Sequence, residues 1–73
     1  MRRDLAVGQI HHQRDQNARL VAIYTIIEVH EGTAICTKTD VKGKIIPGRF
    51  MLPDNPLCRR ASGPTKQEDK HAG

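Results

Sequence analysis

Leu20-Val21-Ala22-Ile23-Tyr24-Thr25-Ile26-Ile27-Glu28-Val29 is the stretch on which the fold turns. It is dense in β-branched and aromatic residues, which pack well on a pleated surface and lose side-chain freedom in a helix. The segment therefore reads as a strand. Side chains alternate across a strand, so Val21, Ile23, Thr25, Ile27 and Val29 share one face and Leu20, Ala22, Tyr24, Ile26 and Glu28 the other. The odd-numbered set, richer in branched aliphatics, is read as the core face, and Ile23→Asp is expected to abolish folding by burying an unpaired carboxylate. Because the even-numbered set is also substantially apolar, the strand is expected either to bend and serve two sides of a small barrel, the preferred reading, or to have a face covered by a partner.

Outward from this strand the punctuation is regular. His30-Glu31-Gly32 breaks the run, and Gly32 supplies the positive φ of a short hairpin turn. Thr33–Thr39 reads as the next strand, and Asp40-Val41-Lys42-Gly43 as the turn after it. A fourth strand is expected from Lys44 to Leu52, with Ile46, Phe50 and Leu52 in one phase. Pro47 and Gly48 interrupt it, which only an edge or a bulge tolerates. Upstream, Leu5–Ile10 is expected to form a short first strand and the polar segment His11–Arg19 a long loop. Downstream, Pro53–Pro56 is a turn, and Leu57-Cys58 a last short strand or single 3₁₀ turn. No stretch places apolar residues at helical spacing over a useful length. The expected organisation is one domain over residues 1–60 and a disordered polar tail over 61–73, since that tail has no large apolar residue to offset its ordering entropy.

Composition narrows the class further. The chain has 73 residues, 37% of them hydrophobic, with no Trp, one Tyr and one Phe. A domain this small buries only about 60% of the surface its unfolded chain exposes and has little volume for a deep catalytic cavity. No apolar run approaches the roughly 18 residues of a spanning helix, and the start lacks the apolar core of a secretory signal. A cytoplasmic location without membrane contact is therefore expected. Cys36 and Cys58 fit no metal-pair spacing and are expected to stay reduced.

The layout resembles a group of small SH3-like barrel proteins of bacteriophages and actinobacteria. Val7-Gly8-Gln9-Ile10 with the loop holding Arg14-Asp15 is similar to that group's opening, Ala18–Val29 to its long second strand, and Gly43–Leu52 to its basic final hairpin strand. Where the group has an aromatic after the Gly-Gln pair, this chain has His11. The resemblance, over about residues 5–57, implies an all-β fold: a small SH3-like barrel of about five short strands with a disordered C-terminal tail. SH3-like barrels serve unrelated functions, so the fold favours binding over catalysis and says little more.

The residues offer little chemistry for an enzyme. His11-His12, His30, His71, Cys36 and Cys58 include metal-ligand types, but adjacent histidines on extended backbone point apart and no element supplies two ligands. Cys36 fits a small core position. Cys58, beside Arg59-Arg60, is either a thiol made more acidic by positive charge or part of a solvated strand end. No phosphate loop, serine elbow or close carboxylate pair occurs. Neither an enzyme nor a cofactor is expected.

Charge is the better lead. The net charge is +4, from twelve Lys and Arg against eight Asp and Glu, and residues 1–60 hold the whole excess with ten against six. Arg14, Arg19, Lys38, Lys42, Lys44 and Arg49 are the candidate basic face, with Arg14 and Arg49 suited to bidentate phosphate contacts and Arg59-Arg60 following. The competing view is that these are ordinary solvated charges. The leading expectation is thus a noncatalytic phage-type accessory protein that binds nucleic acid or another polyanion. The alternative is a protein-interaction module, docking on a host or phage protein or forming a homodimer. It would use Tyr24 and Ile26 on the apolar face of strand 20–29, unless Tyr24 instead caps the barrel.

Overall fold

The computed structural model describes residues 5–64 and is all-β. Five strands, β1 (Ile10–Arg14), β2 (Leu20–His30), β3 (Thr33–Thr39), β4 (Ile45–Met51) and β5 (Cys58–Ser62), form one antiparallel sheet in the order β4-β3-β2-β1-β5. That arrangement is consistent with a small barrel. The two edge strands carry the sequence's least regular segments. On β4 the pairing passes from Lys38↔Ile46 to Cys36↔Phe50, so the extra residues around Pro47 and Gly48 bulge from an edge, where a missing N–H donor is tolerated.

The core lies on the face opposite to the one expected from composition. Ala22, Tyr24 and Ile26 are buried, whereas Val21 and Ile27 are exposed and Ile23 only half-buried. The reason is a bulge. Pairing shifts between Ile26 and Glu28, leaving Ile27 as the extra residue, so the inward phase is even before it and odd after it, where Val29 packs on the core opposite Ala34. The long strand does bend, as a two-sided strand must. Small residues share the inner face with larger ones: Ala22, Ala34 and Cys36 pack there with Ile26, Leu5, Leu52 and Cys58, and Tyr24 is the largest side chain among them. Tyr24 and Ile26 are therefore core residues, not an exposed contact surface. The Tyr24 hydroxyl donates to Gln13 Oε1 at 3.1 Å, which satisfies its polar end.

The chain's opening also differs from expectation. Leu5 is a buried plug rather than the start of a strand, and the first strand proper runs through His11 to Arg14, the segment expected to be a loop. Gly8 N donates to Ile26 O and Ile26 N to Gln9 O, both at 2.9 Å, so the Gly8-Gln9 pair already lies along β2. Gln9 and His11 are both buried. The Gln9 amide nitrogen donates to Pro64 O at 2.6 Å, which turns its Oε1 toward His11 Nε2 at 2.9 Å and makes that nitrogen the donor.

This buried pair extends the ordered domain past residue 60. Ala61 and Ser62 belong to β5, Ser62 pairs with Ile10, and Gly63 crosses directly over Gln9. Gly63 has φ +106°, and a Cβ there would lie 2.5 Å from Gln9 Cα. Only glycine fits that crossing. The rest of the expected tail, residues 65–73, lies outside the described residues.

Three substitutions test this packing by urea denaturation. Ile26→Ala should cost about 2–4 kcal/mol through lost burial and a residual cavity. Gly63→Ala should cost at least about 1–3 kcal/mol through backbone strain. Ile23→Asp, on the outer face, should leave a folded protein with a dispersed amide spectrum.

Candidate polyanion-binding end

Three turns built by one device meet at the same end of the sheet. In the β1–β2 turn, Asp15 Oδ1 accepts from the backbone N–H groups of Asn17 at 2.8 Å and Arg19 at 3.0 Å. The β3–β4 turn repeats this, with Asp40 Oδ1 accepting from Lys42 and Lys44, each at 2.9 Å. Before β5, Asn55 Oδ1 accepts from Leu57 N at 2.9 Å. Asp and Asn side chains mimic a backbone turn in this way. In the meander β1 to β4, the first and third connections fall at one end. Antiparallel pairing of Cys58 with Gln13 brings the start of β5 there too.

The two aspartate turns match residue for residue: Asp15-Gln16-Asn17-Ala18-Arg19 and Asp40-Val41-Lys42-Gly43-Lys44. Position four is left-handed in both, with φ 66° at Ala18 and 88° at Gly43. Each turn thus ends on a basic residue whose backbone N–H is held by the aspartate.

Of the six candidate cations, this end gathers four, Arg14, Arg19, Lys42 and Lys44, all exposed. Arg14 Nη1 donates to Ala18 O at 3.1 Å, which draws its guanidinium along the turn. Lys38 is placed differently. Its ammonium lies 5.7 Å from the Tyr24 ring centre and 5.4 Å from that of Phe50, a cation–π contact that covers the core aromatics. Arg49 is at the opposite end, where its Nη2 pairs with Glu28 Oε2 at 2.8 Å. Its bidentate capacity faces a carboxylate of its own chain.

The Arg59-Arg60 pair of the basic-face reading joins this end, and so does His12, which lay outside that reading. His12, Arg59 and Arg60 line, with Arg14, a groove of ≈ 480 Å³ between β1, β5 and the β1–β2 turn. The Arg59-Arg60 pair was a legible signal, and the pairing His12↔Arg59 is what ties it to Arg14.

Other chemistry is sparse. Among the described residues no group of three or more His, Cys, Asp or Glu side chains is placed to hold a metal ion. Cys36 and Cys58 are both buried thiols, Cys36 in the core position expected of it and Cys58 at the start of β5. No helix among the described residues is long and apolar enough to cross a membrane.

At the opposite end, Glu28 is held in its charged form. The hydrogen bond to His30 Nε2 at 3.0 Å, and next that to Arg49, hold its carboxyl below the ordinary carboxylate value. A lowered folded-state pKa makes the carboxylate stabilising above the unfolded-state value, and that contribution disappears as pH falls through the folded-state value. Glu28→Gln should therefore lower the urea midpoint slightly at neutral pH, and the gap from wild type should close below about pH 4.

No family model matches this chain, and neither a curated protein nor a solved structure shows significant similarity to it.

Proposed function

We propose that this chain is a noncatalytic binding module that grips the phosphate backbone of nucleic acid with the turn end of its barrel. The supporting observation is the convergence of Arg14, Arg19, Lys42 and Lys44 on turns whose two aspartates are engaged in holding the backbone. Sheet strands lie about 4.8 Å apart, so cations on neighbouring turns span the width over which successive phosphates are met. The partner is double-stranded. Single-strand binders stack bases on exposed aromatic rings, and here Tyr24 is buried while Phe50 packs on the core. With no base-stacking group and no recognition helix among the described residues, binding is carried by charge and is independent of sequence. The resemblance to phage and actinobacterial SH3-like barrels fits such an accessory role, in the cytoplasm where nucleic acid is met.

A second reading rests on the outer face of the sheet. Val21 is 46% exposed, Ile27 40% and Ile45 68%. Ile45 and Ile23 both pair with Thr39, in one row across the strands. This surface, rather than Tyr24 and Ile26, is the apolar patch available to a protein partner or a second copy.

The test is fluorescence anisotropy of a short duplex against increasing salt. Wild type should bind at low salt with a linear log–log salt dependence, and Arg19→Ala/Lys42→Ala/Lys44→Ala should flatten that slope by roughly one for each phosphate no longer neutralised. Absence of binding to any duplex by the folded protein at about 50 mM salt would overturn the proposal.

A further inference from the structure

The groove beside β5 has the features of a seat for one phosphate group. Arg14, Arg59 and Arg60 are among the residues that line it, with His12 beside them and Pro56 and Leu57 forming an apolar wall. Asp15 supplies the carboxylate on its rim, and that side chain's Oδ1 already accepts two backbone N–H groups. Among the described residues, none of the three arginines enters an ion pair; the salt bridges there both fall on Glu28. Basic residues gathered around one small concavity repel one another, and an anion held there relieves that repulsion.

Two of the three are held in place before any ligand arrives. Arg59 Nε donates to Pro56 O and Arg14 Nη1 to Ala18 O, each at 3.1 Å. Both bonds use only one of a guanidinium's five N–H donors, so the rest of each fork stays available. The backbone beneath is tied as well, since Arg14 N donates to Leu57 O at 2.9 Å and His12 pairs with Arg59 across β1 and β5. Ordering the forks in advance lowers the entropy lost on binding.

We infer that the Arg14–Arg59–Arg60 groove binds a single nucleic-acid phosphate, with the attached sugar against Pro56 and Leu57. This rests on the nucleic-acid reading above and gives it an anchoring subsite. A planar guanidinium fork suits phosphate oxygens, and ≈ 480 Å³ holds about one nucleotide unit rather than a length of strand. The same chemistry is offered by an internal phosphodiester and by a phosphate at a strand end.

Two measurements on the full chain test it. Titration with inorganic phosphate, followed by amide NMR, should shift His12, Arg14, Arg59 and Arg60 saturably and leave Lys42 and Lys44 nearly unmoved. In duplex anisotropy, Arg59→Gln/Arg60→Gln should weaken binding roughly 10-fold or more, a larger loss than Lys42→Gln/Lys44→Gln. Both arginines are exposed, so the variant's amide spectrum should otherwise overlay wild type. Preference for a duplex with terminal phosphates over one with terminal hydroxyls assigns the strand end, and equal affinity assigns the internal diester. Wild-type affinity in the arginine variant, with weakened binding in the lysine variant, overturns the groove while sparing the nucleic-acid reading. Failure of wild type to bind any nucleic acid overturns both, even if inorganic phosphate shifts the groove.

Discussion

A single sheet of five short strands has only itself to pack against, so it must curl to cover one of its own faces. Bulges make that curl. Register shifts interrupt every ladder of the sheet, at Gln13/Arg14, Ile10/His11, Ile26/Glu28 and Cys36/Lys38, each adding local twist. Alanines at 22 and 34 and a cysteine at 36 are buried beside Ile26, while Val21, Ile27 and Ile45 are left exposed. The buried Gln9–His11 pair is joined by a hydrogen bond, and Gln9 also fastens Pro64 to the segment that leads into β1.

The same economy of scale shapes the charged end. Turns between short strands need acceptors for backbone N–H groups that no ladder satisfies, and Asp15 and Asp40 provide them. Their carboxylates are thereby drawn against the backbone, while the basic residues that close each turn extend outward. A modest net charge becomes a local field because the cations and the anions are given different work. Arg49 shows the contrast: at the far end, with Glu28 within reach, a guanidinium is neutralised.

Much of this was legible in the one-dimensional pattern. Gly32, the Asp40–Gly43 turn and the interruption at Pro47-Gly48 each mark a backbone conformation that few other residues adopt, and all three occur where the sequence places them. The opening was misread for an equally physical reason. Ile10–Arg14 is too polar for a conventional strand, yet His11 is buried because Gln9 answers its ring nitrogen, a partnership two residues apart that exists only once the backbone is extended. Within the site, Arg14, Arg19, Lys42, Lys44 and the Arg59-Arg60 pair could be named from the charge pattern, whereas the place of that pair beside His12 and Arg14 follows only from the pairing of β5 with β1.

By itself, then, the sequence determined that this chain is all-β, where its second and third hairpins turn and which strand tolerates a proline, because those follow from local backbone preferences. The inward face of β2 was decided by tertiary structure alone. With both faces apolar, periodicity has two equal solutions, and the bulged residue Ile27 marks where the inward phase switches between them. The grouping of the cations was decided the same way, since charges distant along the chain become neighbours only through strand order and register.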